Sequence, residues 1–109
     1  MASERRSGTD RRKNERFKTK IDIEWEGIFG RMLGTISDIS EHGCFILTAG
    51  EVQDGENVKI FFPLSGGMKV LFWGEIVNHV QEIGFAVRFF ALSEAQEDFL
   101  EKFVDTLRT

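Results

Sequence analysis

At 109 residues, 41% of them hydrophobic and 11 of them Phe, the chain has material for one packed domain and too little for two. It holds no apolar run near the ~18 residues of a membrane span, its charged N-terminus has no signal-peptide stretch, and its one cysteine, Cys44, excludes an internal disulfide; a cytoplasmic location is expected. The net charge of −4 is unevenly divided, with eight Lys and Arg against three Asp and Glu in residues 1–20 and six against fifteen in the rest.

Residues 1–17 have few apolar side chains and no period, which predicts a flexible basic arm that ends at its first apolar anchor, Phe17. Residues 18–109 then read as one domain. Ile21, Ile23 and Trp25 alternate with Asp22, Glu24 and Glu26, the pattern of a half-buried antiparallel strand. Residues 29–37 predict a second strand, weakened by Gly30 and Gly34. Residues 38–43 read as a polar loop and 44–47 as a short apolar strand. Strands follow at 58–64, at 68–80 with a bend at Gly74, and at 83–90 after a turn at Gln81-Glu82. Six short strands at this spacing favour a closed or nearly closed antiparallel barrel.

The period then changes. Leu92, Phe99, Leu100, Phe103, Val104 and Leu107 form one helical stripe, and Ser93 with Gln96 has the form of a capping box. A helix over 94–107 should cover the barrel's open end or one face.

Two short motifs carry the chemistry. Arg12-Lys13-Asn14-Glu15-Arg16 is an RxxxR pattern, preceded by Arg11, and Asp38-Ile39-Ser40-Glu41-His42-Gly43 is a DxSxxG pattern. In this order and separation, with β-patterned sequence between and after, the chain resembles the PilZ domain family. The closing segment from Gly84 to Phe89 is similar to that family's last strand. The resemblance implies a six-stranded barrel with a C-terminal helix. It also implies a ligand, cyclic di-GMP, with two guanines and two phosphates.

Arginine forks match both phosphate oxygens and the O6/N7 edge of guanine, and lysine does not copy that geometry. On the resemblance, Arg12 and Arg16 supply these contacts. Asp38 accepts from the N1–H and N2–H₂ edge of guanine, Ser40 donates, and Gly43 allows positive φ or the close approach of a ring. Arginine contacts at about 1–3 kcal/mol each nearly cancel the ordering of several arm residues at about 1–2 kcal/mol each. Affinity is therefore expected at about micromolar, falling with salt. In the family an arginine just before RxxxR goes with two stacked ligand molecules, so Arg11 implies two per protomer. Arg88 and Asn78 are lesser candidate contacts, Asn78 standing near the family's stacking position without being aromatic.

Arg5 and Arg6 fit a solvated tail. Trp73 fits core or barrel-face packing, and Cys44 fits strand packing. His42, Cys44 and His79 lack metal-ligand spacing, and Ser40 near His42 lacks the third group of a catalytic set. No metal, cofactor or enzymatic activity is expected. A basic arm on an acidic body suits a compact anion held near the arm, and a long polyanion such as duplex DNA would be repelled. The expected role is a receptor whose arm orders on the ligand and signals to an unidentified effector protein in motility or exopolysaccharide control. The alternatives are a small barrel for single-stranded nucleic acid and an interaction adaptor that binds no ligand.

Overall fold

The structure, a computed structural model, describes residues 15–108. Six strands run β1 (Phe17–Gly27), β2 (Gly30–Ile39), β3 (Gly43–Leu47), β4 (Asn57–Pro63), β5 (Lys69–Val80) and β6 (Gly84–Phe90), followed by the helix α1 (Glu94–Leu107). The strands close into a barrel in the order β1-β2-β3-β6-β5-β4, every pairing antiparallel. Closure leaves no long sheet edge to pair with another chain. The first strand begins at Phe17, the residue where the arm was expected to end.

Of the alternating residues of β1, Ile23 and Trp25 are buried and Ile21 is partly buried against the core. Ile36, Ile46, Ile60, Phe72, Ile76 and Phe85 fill the rest of the interior. Trp25 packs edge-on against Phe85 with centroids 4.9 Å apart. Its indole N–H donates to Thr48 Oγ1 at 3.1 Å, so a large ring is buried without stranding its polar atom. Cys44 is also buried, and burial pushes its thiol well above the ordinary value for cysteine.

Helix α1 begins at the predicted capping box. Ser93 Oγ accepts from Gln96 N–H at 3.1 Å, and Gln96 Oε1 accepts from Ser93 N–H at 2.9 Å. The Gln96 amide also donates to the carbonyl of Leu71 at 2.7 Å, which ties the helix start to β5. Leu100 and Val104 are buried. Phe99 and Phe103 stand edge-on to Phe62, at 5.5 and 5.2 Å between centroids. Phe62 is an inward residue of β4, so the helix seals one mouth of the barrel.

One expectation changes in the structure. Asp38 lies in β2 and not in a loop, because that strand runs on to Ile39. Of its two readings, core or barrel face, Trp73 takes the barrel face: it is 37% exposed on the outer face of β5, 6.2 Å from Phe90. There Lys59 Nζ sits 5.4 Å from the Trp73 ring.

The pairing of β2 explains how an aspartate fits in a strand whose alternate residues are core. Ile36 faces Ile46 and Asp38 faces Phe45, with a register shift between them. Strict alternation from the buried Ile36 would point Asp38 inward. The extra residue, Ser37, is a β-bulge that turns Asp38 outward, and Ile39 then returns to the core.

Candidate functional site

Asp38 stands in a row of outward-facing residues across five adjacent strands. Lys18 of β1 faces Asp38 of β2, and Asp38 faces Phe45 of β3. Phe45 faces Ala86 of β6, which faces Asn78 of β5. Three register shifts border this row: between Lys18 and Ile21, between Ile36 and Asp38, and between Ile76 and Asn78. Bulges gather where a strand must re-aim a side chain, and here they gather on one line.

Arg16 meets Asp38 at the β1 end of the row. Its Nη2 lies 2.7 Å from Asp38 Oδ1, and its Nε donates to the same oxygen at 2.9 Å. The two motifs, 22 residues apart in sequence, therefore touch. Among the described residues Asp38 Oδ2 takes no hydrogen bond. Both side chains are substantially exposed, at 47% and 32%. Such a pair is worth about 0–1 kcal/mol in water, weak enough for a better-matched partner to replace.

The turn from β2 to β3 is built by Ser40, which is buried. Ser40 Oγ accepts from His42 N–H at 3.1 Å and from Gly43 N–H at 3.3 Å. The Ser40 N–H donates to the Gly43 carbonyl at 2.8 Å. The serine thus folds the loop as an ST turn, with its hydroxyl engaged inside it. The loop is fastened to β6 by Phe89 N–H donating to the His42 carbonyl at 2.8 Å.

The φ of Gly43 is not positive, so the first of its two expected purposes does not apply; what comes close to it within the fold is backbone. A Cβ placed there would lie 2.0 Å from the carbonyl oxygen of Val87. The glycine lets β6 approach β3 at the loop's exit.

Arg88 faces Gly43 across the β3–β6 pairing. It is exposed and its Nη2 is 2.9 Å from Glu75 Oε1, so its charge is directed toward β5. Asn78 is exposed at the far end of the row. Arg11 and Arg12 lie outside the described residues.

A concavity beside the loop is lined by Glu41, His42, Leu92, Glu94, Glu97, Asp98 and Glu101. Its carboxylates repel an anion. Among the described residues no group of three His, Cys, Asp or Glu is placed to hold a metal. No described helix is long and apolar enough to cross a membrane.

Lys18, Phe45 and Ala86 were not candidates on sequence. They join the site only through strand register, and the bulges that set that register leave no residue signature.

A model of the PilZ domain matches residues 10–106. The chain belongs to the PilZ domain family. This is a family of cyclic di-GMP receptors, whose domains are binding and adaptor units and not enzymes. Among solved structures, the PilZ domain of CeSA from a cellulose-synthesizing bacterium superposes with a TM-score of 0.69 at 18% identity, covering 88% of this chain and 100% of that one. At that identity the likeness extends to the fold of this PilZ chain. Comparison with curated proteins finds no match.

Proposed function

We propose that this PilZ domain binds cyclic di-GMP on the outer barrel face beside Asp38 and signals to a separate effector protein. The observation that carries the reading is the meeting of Arg16 and Asp38 at 2.7 Å. A guanidinium fork and a carboxylate side by side present donors and an acceptor at one spot, which suits the two complementary edges of guanine. Arg16 supplies the fork to guanine or phosphate. Asp38 accepts from the N1–H and N2–H₂ edge. Lys18, next to Asp38, adds positive charge, and Phe45 adds an apolar floor. Ser40 and Gly43 keep the loop in shape beneath them.

Arg12 closes over the ligand from the arm, and Arg11 holds a second ligand molecule, giving two per protomer. The ordered arm then alters the surface that the effector meets. Motility or exopolysaccharide machinery is the kind of effector expected, in the cytoplasm where the messenger acts. The acidic body disfavours single-stranded nucleic acid as the ligand.

Titration calorimetry at physiological salt tests this with wild type, Arg16→Ala and Asp38→Ala, against cyclic di-GMP and a single-stranded oligonucleotide. Micromolar binding of the dinucleotide by wild type, lost in both variants, is expected. Heat from the oligonucleotide alone would replace the reading with a nucleic-acid binder. Heat from neither would leave an adaptor without ligand.

A further inference from the structure

The C-terminal residue of the described chain reaches back to the root of the arm. Arg108 caps helix α1, its backbone N–H donating to the Asp105 carbonyl at 3.2 Å. Its guanidinium lies over the Phe17 ring, 5.1 Å from the centroid. Its Nη2 is 3.5 Å from Glu15 Oε1, and its Nη1 pairs with Asp105 Oδ1. Only 21% of this charged side chain is exposed.

The two arm residues it touches flank Arg16 on either side. In an extended chain, residues i and i+2 point one way and i+1 the other. Glu15 and Phe17 are drawn to Arg108, while Arg16 is directed to Asp38, 2.7 Å away. Phe17 is in addition paired with Ile39, the residue after Asp38. Gripping the outer two residues therefore fixes the direction of the middle one.

We infer that Arg108 is a positioning residue: from the end of α1 it holds Glu15 and Phe17 so that the Arg16 guanidinium is presented at Asp38. The role in ligand affinity rests on the proposed function; the positioning itself does not. Planar guanidinium suits this task because it stacks on a ring while donating sideways to a carboxylate. Lysine keeps the charge and gives up the planar stack, so it restores part of the effect.

The test uses the full chain with Arg108→Ala, Arg108→Lys and Glu15→Gln. A control, Ser93→Ala, weakens α1 at its opposite end without touching the arm. The first readout needs no ligand: the NMR order and solvent exchange of the Arg16 Nε–H group. Wild type and Ser93→Ala should show the same order. Arg108→Ala should lose it, with Glu15→Gln and Arg108→Lys between. The second readout is cyclic di-GMP affinity, expected to fall about fivefold in Arg108→Ala, less in Arg108→Lys, and not at all in Ser93→Ala.

Unchanged Arg16 order in Arg108→Ala overturns the inference. So does an equal loss of order in Ser93→Ala, which would make Arg108 a helix-stability residue only. Lost order with unchanged affinity overturns its part in binding. Lost order in a protein whose wild type binds no cyclic di-GMP supports the positioning and defeats the proposed ligand.

Discussion

Replacing Gly43 with alanine adds one methyl group at the tightest point near the site. That carbon would lie 2.0 Å from the Val87 carbonyl oxygen, 3.1 Å from its carbonyl carbon and 3.2 Å from Arg88 Cα. All three are backbone atoms, so no rotamer change relieves the clash. The strands β3 and β6 must part by about 1.5 Å to reach ordinary contact. The hydrogen bond across this seam then stretches, Phe89 N–H to the His42 carbonyl at 2.8 Å. At about 0.5–1.5 kcal/mol net for that bond, with about 1–3 kcal/mol for overpacking, Gly43→Ala should lose about 1.5–4.5 kcal/mol. For a domain of this size that lowers the melting temperature by roughly 10–25 °C. Gly84→Ala meets a matching obstacle, the Ile46 carbonyl oxygen at 2.0 Å, at the other end of the same strand pair. Urea unfolding of both variants, with calorimetry at a temperature where both remain folded, separates the effects. Both should lose stability, and Gly43→Ala alone should also lose cyclic di-GMP affinity. A Gly43→Ala protein within about 0.5 kcal/mol of wild type would refute the close-approach argument.

Arg16→Lys keeps the charge beside Asp38 but not the fork; its cyclic di-GMP affinity, read by calorimetry, should fall at least about tenfold, in line with the loss of one bidentate contact. Arg11→Leu should reduce the stoichiometry from two ligands to one, and an unchanged titration endpoint would count against a second molecule. The Cys44 thiol should not react with a disulfide reagent in native protein and should react fully once urea unfolds the chain, because burial holds it protonated. A raised thiol pKa in the folded state means the unfolded chain releases its proton first. Stability should therefore decline as pH rises beyond the ordinary thiol value of about 8.5, and Cys44→Ala should flatten that decline.

Residue order alone carried the strand count, the helix and its capping box, because alternation and helical period are properties of neighbours in the chain. Ile21, Ile23 and Trp25 announce a buried face wherever the strand is put, and Ser93 with Gln96 announce a helix start. The two motifs were legible for the same reason, and with them the family. Register was not legible. A single extra residue at Ser37 reverses the facing of everything after it, so Asp38 looks like loop when read alone and like an outward strand residue once β3 lies beside it. The row from Lys18 to Asn78, the backbone contact that demands a glycine at 43, and the hold of Arg108 on Glu15 and Phe17 all depend on segments far apart in the chain. Local pattern encodes which elements form, whereas contact between distant segments is settled only when the barrel closes and places them within a few ångströms of each other.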